Sequence, residues 1–235
     1  MSINTISSRV LQHFTLVNIY GKSGTGKTTF ALQLLSNFLP KSTKASKMEP
    51  RFVWVQGSEK FPKKRLIDMY KSDKRTVEYL QTHILLYPKF LITSYDELCT
   101  RLISLSKNYR TLPFTPMAII IDNISHYLRL EISKYEDISL ITALLDDFFD
   151  TVILPLIFYC GRRDITLILV HEVSYDPKKD DTVMFNHKLF SNLKSFNIKL
   201  EKNPVTKRQV ISFAFQDHTK TFRYRVMRKG IKLLT

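Results

Sequence analysis

Gly21-Lys22-Ser23-Gly24-Thr25-Gly26-Lys27-Thr28 satisfies the pattern G-x-x-x-x-G-K-S/T. Each part has a physical task. The glycines let the backbone wrap closely, so that its N–H groups converge on an anion. A helix that starts at the end of the loop adds its positive end. At that spacing Lys27 reaches the β- and γ-phosphates of ATP, the Thr28 hydroxyl takes a Mg²⁺ ligand position, and Thr29 is placed for the α-phosphate. The cofactors called for are therefore ATP and Mg²⁺. A carboxylate at the end of a neighbouring buried strand completes such a metal site. Asp122 is the candidate, because it closes the apolar run MAIII (Met117 to Ile121). The alternative role for Asp122 is an ordinary helix N-cap, since the chain from Ile124 onward has helical spacing.

These residues need strands and helices to hold them. Thr15 to Tyr20 (TLVNIY) reads as a buried strand ahead of the loop, and Thr28 to Phe38 repeats apolar residues at helical spacing after it. Pro40 to Pro50 is a Lys-rich connection. Further strands are expected at Phe52 to Val55, His83 to Tyr87, Lys89 to Ile92, Met117 to Ile121 and Ile165 to Val170, with helices from Lys63 to Tyr70 and Asp96 to Ser106. Leu140 to Cys160 is apolar at helical spacing, with Pro155 as a kink or a second start. Phe196 to Leu200, Gln209 to Phe215 and Thr221 to Val226 alternate as strands of a mixed or antiparallel edge. Apolar strands separated by helices imply an α/β fold with a mainly parallel sheet covered on both faces.

The bulk numbers fit one domain spanning residues 1–235, with 44 % apolar and 24 % charged residues. No run approaches the ~18 apolar residues of a membrane span. Met1 to Val10 does not read as a signal peptide. With only Cys99 and Cys160, no disulfide framework or zinc motif is expected, and a cytoplasmic location is. The charge is unusual: the net is +15, and it is uneven. Lys178 to Thr235 holds 14 basic and 4 acidic residues, whereas Arg101 to Pro177 holds 7 and 10. A basic terminal third points to a polyanion, most often nucleic acid. A solvated Lys-rich surface is the plainer alternative.

The order of these parts resembles the RecA/RadA recombinase superfamily, especially its archaeal RadA paralogs of the RadB-like kind. NIYGKSGTGKTTFALQLL is similar to their phosphate-loop segment, FVWVQGSEKFPKKRL to the strand followed by D-T-E-G and F-R-P-E-R-L, and IIIDNISHYLR to their Walker B strand. ILPLIFYCGRRDITLILVHEV resembles the helix and strand that end in N-Q-V, and FRYRVMRKGI the closing F-x-I-x-x-x-G-I. The resemblance spans about Thr15 to Ile231 and implies a RecA-like P-loop NTPase core with an antiparallel C-terminal edge.

Departures bear on activity. Register with Phe61, Arg65 and Leu66 puts Ser58 where the family has its water-polarising glutamate, with Glu59 next to it. Arg65 falls where the family stacks an arginine on adenine. The γ-phosphate-sensing Asn-Gln pair is replaced by His171-Glu172. A glutamate there repels a γ-phosphate unless it is protonated or paired with a cation; alternatively Glu172 is itself the base. Slow hydrolysis is the expectation, with Lys27, Glu59 and Glu172 as the catalytic candidates. The family's N-terminal DNA-binding domain and subunit-linking segment are not expected in so short a lead.

The resemblance also implies partners: single-stranded DNA, a RadA-type recombinase or another paralog, and homo- or hetero-oligomers. The family's DNA loop falls at Ser174 to Lys188, where Tyr175, Lys178, Lys179, Phe185 and Lys188 suit stacking and phosphate contact, although Asp176, Asp180 and Asp181 dilute the charge. Arg223 and Arg225 alternate onto one strand face, with Lys207, Arg208, Arg228 and Lys229 nearby. An accessory or regulatory role in homologous recombination and DNA repair follows. Two other readings remain open: a KaiC-like ATP-dependent interaction protein with no DNA role, and a small-molecule P-loop kinase, for which no lid is recognisable.

Overall fold

The computed structural model describes residues 13–38, 51–107 and 112–234; the Pro40 to Pro50 connection lies outside them. A nine-stranded sheet forms the centre, built from β1 (Leu16–Gly21), β2 (Phe52–Gln56), β3 (Ile84–Tyr87), β4 (Ala118–Asp122), β5 (Thr166–His171), β8 (Phe196–Lys202), β9 (Gln209–Phe215), β10 (His218–Met227) and β11 (Gly230–Leu234). Its order is β11-β10-β9-β8-β1-β5-β4-β2-β3. The strands from β8 to β3 in that order pair in parallel, whereas β8, β9, β10 and β11 pair antiparallel in succession. The expected α/β class and antiparallel C-terminal edge are both present. A separate hairpin pairs β6 (Val173–Asp176) with β7 (Asp181–Met184).

Helices cover both faces, which explains the continuous apolar runs of the central strands. Phe52, Trp54, Ile120 and Ile168 point to one face, where they pack with α1 (Lys27–Leu35), α2 (Lys63–Met69) and α3 (Lys74–His83). Val53, Val55, Ile119, Ile121, Leu167 and Leu169 point to the other, against α4 (Tyr95–Lys107), α5 (His126–Ile132) and α7 (Leu154–Gly161). Between α5 and α7 lies α6 (Ile138–Phe148), and α8 (His187–Phe190) follows β7. No helix among the described residues is long and apolar enough to cross a membrane.

Four local expectations change. The long Leu140 to Cys160 helix is α6 and α7 joined by a π-helical turn, Phe149–Ile153. Pro155 sits in the first turn of α7, where its missing N–H costs least. Lys89 to Ile92 forms no strand; Gln56 takes the place of a ladder partner, its Nε2 donating to the Pro88 carbonyl at 3.3 Å and its own carbonyl accepting from the Ile92 N–H at 3.4 Å. The segment from Ser174 to Lys188 is not an irregular loop but the β6–β7 hairpin running into α8. Finally, β11 is a full edge strand, and it is clamped to α1 by Gln33, whose amide accepts from the Ile231 N–H at 2.8 Å and donates to the Ile231 carbonyl at 3.2 Å.

Candidate functional site

The phosphate loop connects the carboxyl end of β1 to α1, as the strand–loop–helix pattern predicts. Gly26, the residue preceding α1, has φ 98°. A Cβ there would lie 2.9 Å from Val226 Cγ2, so glycine is required both by conformation and by the close approach of β10. The turn is fastened internally by Thr25 Oγ1, which donates to the Lys22 carbonyl at 2.8 Å. It is fastened from outside by Tyr224 of β10, whose hydroxyl donates to the Thr25 carbonyl at 2.7 Å. Lys22, Ser23 and Gly24 form the exposed tip.

Lys27 folds under this loop, and its Nζ donates to the carbonyls of Gly21 at 2.8 Å and Lys22 at 3.2 Å. Burial lowers its pKa, while Asp122, Glu172 and Glu59 act against that shift. Thr28 Oγ1 donates to Asp122 Oδ2 at 2.7 Å, joining residues 94 positions apart. Burial pushes the Asp122 carboxyl up to about 6, held back by the Thr28 hydroxyl and the Lys27 charge. Asp122 is thus not a helix N-cap; Asn123 does that local work, its Oδ1 accepting from the N–H groups of Ser125 at 2.7 Å and His126 at 3.2 Å. Gly57 lets β2 and β4 close over this point. Its N–H donates to the Asp122 carbonyl at 2.9 Å, and a Cβ would lie 2.6 Å from the Asn123 carbonyl oxygen.

A cleft of about 930 Å³ opens above these groups. Its walls bring together the loop residues Gly21, Lys22, Ser23, Gly24, Gly26, Lys27, Thr28 and Thr29 with Glu59, Arg65, Asp122 and Glu172. Arg65 is fixed at one end: its Nε donates to Thr29 Oγ1 at 3.1 Å and its terminal nitrogens to the carbonyls of Met227 at 2.7 Å and Arg228 at 3.3 Å. Glu59 has no hydrogen bond or ion pair among the described residues, yet it is near enough to act on Lys27 and Asp122. Glu172 is engaged. Asn123 Nδ2 donates to its Oε1 at 3.1 Å, Arg129 Nε lies 3.3 Å from its Oε2, and His126 Nδ1 is 3.5 Å from Oε1. The arginine beside this carboxylate is therefore Arg129.

His171 does not face the cleft. It is buried, with Nε2 3.1 Å from Asn18 Oδ1, and Asn18 Nδ2 donates to Asn197 Oδ1 at 2.9 Å. Burial first, and the Lys27 charge second, push its pKa down to about 3, so it is neutral.

The basic candidates divide between places. Lys178 and Lys179 stand on the turn of the β6–β7 hairpin and Lys188 on α8, all exposed. The hairpin's acidic residues are engaged: Asp180 accepts from the Tyr175 hydroxyl and Asp181 from Lys199, both at 2.6 Å, while Asp176 accepts from the Lys178 N–H at 3.0 Å. Arg223 and Arg225 project from one face of β10, with Tyr224 buried between them on the other. Arg228, in the turn to β11, reaches Asp68 at 3.4 Å.

Nothing in the sequence announces Tyr224, which acts across 199 positions. Asn18 did leave a trace, as a lone polar residue inside an apolar strand. Asn123 and Arg129 sit within the IIIDNISHYLR segment, but their pairing with Glu172 is visible only once β4, α5 and β5 are assembled.

No protein-family model matches the chain, and no curated protein matches it in sequence. Among solved structures, the crystal structure of the RadB recombinase superposes with a TM-score of 0.66 at 22 % identity, over 92 % of this chain and 89 % of that one. The chain has that protein's RecA-like fold.

Proposed function

We propose that the chain is an ATP-binding paralog of the RecA/RadA recombinases, RadB-like in kind. In this reading it acts as an accessory or regulator in homologous recombination and DNA repair, binds single-stranded DNA through its charge, and hydrolyses ATP slowly. The observation that carries the reading is the 2.7 Å contact of Thr28 with Asp122 beneath a glycine-rich turn, within a fold shared with the RadB recombinase.

The residues fit a nucleoside triphosphate with Mg²⁺. The backbone between Gly21 and Thr28 supplies N–H groups, Lys27 a cation and α1 its positive end. Thr28 and Asp122 would hold Mg²⁺, which takes few protein ligands when phosphates complete its shell. Bound there, the ion neutralises phosphate charge. Arg65, beside Thr29, borders the end of the cleft where the base would lie. Of the two candidate bases, Glu172 is held by the Asn123 amide, with Arg129 beside it, whereas Glu59 is available to orient a water. One glutamate displaced by a residue from its place in the resembling family supports slow turnover. The basic third, with the aspartates of the hairpin engaged elsewhere, supports a polyanionic partner, and a RadA-type recombinase or paralog is the protein partner the resemblance implies.

The test is ATP turnover with and without single-stranded DNA, at low and high salt, beside a Lys27→Ala control. Slow turnover that rises with DNA, falls with salt and is lost in the control is expected. Nucleotide binding with no effect of DNA on turnover or retention would favour the KaiC-like alternative.

A further inference from the structure

The Glu172–Arg129 pair lies on the wall of the cleft, and nothing in the phosphate-loop motif calls for it. Arg129 makes three contacts. Its Nε is 3.3 Å from Glu172 Oε2, one terminal nitrogen donates to the Val173 carbonyl at 2.8 Å, and its guanidinium lies 5.1 Å from the centre of the Phe185 ring. Val173 opens the β6–β7 hairpin and Phe185 follows it, with the Phe185 N–H donating to the Glu172 carbonyl at 3.0 Å. One arginine therefore touches both ends of the hairpin. Its side chain is also 41 % exposed, and it lines the same cavity as Lys27 and Thr28.

Such an arginine has a choice of anions. The carboxylate is met at 3.3 Å through Nε while one terminal nitrogen is spent on the Val173 carbonyl, whereas a phosphate accepts the guanidinium fork through two oxygens and carries more charge. The geometry points to Arg129 as the residue that distinguishes a nucleoside triphosphate from a diphosphate: Glu172 holds its guanidinium at the cleft wall, and the guanidinium turns to a terminal phosphate when one is bound. This inference rests on the nucleotide reading above. Glu172 is then a restraint on Arg129 and sets how strongly a terminal phosphate must compete. Turning the guanidinium away also releases the Val173 carbonyl and the Phe185 ring, so the hairpin loosens with triphosphate and not with diphosphate.

The experiment measures the affinity of a non-hydrolysable ATP analogue and of ADP, each with Mg²⁺, for the unaltered chain, Arg129→Ala and Glu172→Gln. Losing a charge-assisted contact made only to the terminal phosphate weakens the analogue about 10- to 100-fold in Arg129→Ala and leaves ADP within about twofold. Glu172→Gln strengthens the analogue, because the restraint is gone while the side chain keeps its shape. A purely structural role for the pair would weaken both nucleotides in both variants. Hydrogen exchange of the amides from Tyr175 to Val183 is the second readout. It is faster with the analogue than with ADP in the unaltered chain, and indifferent to nucleotide in Arg129→Ala. Equal weakening of both nucleotides in Arg129→Ala, or a weaker analogue in Glu172→Gln, would overturn the assignment. If the unaltered chain bound neither nucleotide, the ATP reading itself would fall, and this inference with it.

Discussion

At the foot of the phosphate loop, Lys27 and Thr28 each reach a partner within 2.8 Å, and Asp122 is held at 2.7 Å. On β10, the exposed side chains of Arg223 and Arg225 make no hydrogen bond or ion pair among the described residues. The first region fixes a few groups in a small volume, which suits a ligand of defined shape. The second spreads charge over a surface, which suits a chain of phosphates that can slide and repack. A single substitution should therefore be severe in the first region and graded in the second.

The largest expected effect lies at Glu59. If it orients the attacking water, Glu59→Gln lowers ATP turnover about 100-fold or more, in the range of a lost general base, while leaving nucleotide affinity nearly unchanged. Glu172→Gln leaves turnover within a few-fold, because the Asn123 amide still holds that carboxylate when Arg129 turns to a phosphate. Single-turnover kinetics on the two variants, beside equilibrium binding, decide the matter. A collapse in Glu172→Gln with normal turnover in Glu59→Gln would reverse the assignment and show that Asn123 does not keep Glu172 from the attacking water.

The basic surface should respond by increments. Removing two phosphate contacts reduces the slope of log affinity against log salt by about 1.4 for single-stranded DNA, at roughly 0.7 per contact. That is the expectation for the Arg223→Ala/Arg225→Ala pair, and the Lys178→Ala/Lys179→Ala pair measures the hairpin's share in the same way. Fluorescence anisotropy with a labelled oligonucleotide across a salt series gives both slopes. Unchanged slopes in both pairs would move the DNA contact elsewhere. An all-or-none loss from either pair would mean that the basic side, too, is a site of fixed geometry.

How legible each region was follows from the range of the interactions that make it. The glycine-rich turn is coded within eight residues, and Asp122 announces itself by ending an apolar strand, so the meeting of the two was readable. Sheet class and antiparallel edge followed from apolar runs and alternation. What escaped depends on partners far along the chain or on elements with little apolar content. Tyr224 and Arg129 are ordinary residues in sequence until β10 and β5 bring Thr25 and Glu172 beside them. α3 buries only Leu80 among its ten residues, so helical spacing had almost no apolar stripe to report. The strands of the β6–β7 hairpin are four residues each, too short for alternation to stand out. Lys89 to Ile92 failed in the other direction, because the Gln56 side chain takes up the Pro88 and Lys89 carbonyls and its main-chain carbonyl the Ile92 N–H.

His171 closes β5 beside the first of these regions, and its effect is read in stability rather than in binding or turnover. The residue is buried, bonded to Asn18 and close enough to Lys27 to feel its charge. Its pKa in the fold is depressed to about 3, against the ordinary 6.5. The unfolded chain therefore takes up a proton below pH 6.5 that the native histidine refuses. The stability this residue contributes is complete above pH 6.5 and drains away as pH falls toward 3, at up to about 1.4 kcal/mol per pH unit for one proton. His171→Asn removes that proton and so should flatten the decline between pH 6.5 and 4, at the cost of a poorer fill beside Phe190, whose ring lies 5.2 Å away. Denaturant melts across that range measure the difference in slope, which is independent of the constant loss from packing. An identical slope in both chains would mean that His171 takes up its proton in the fold as readily as in the unfolded chain.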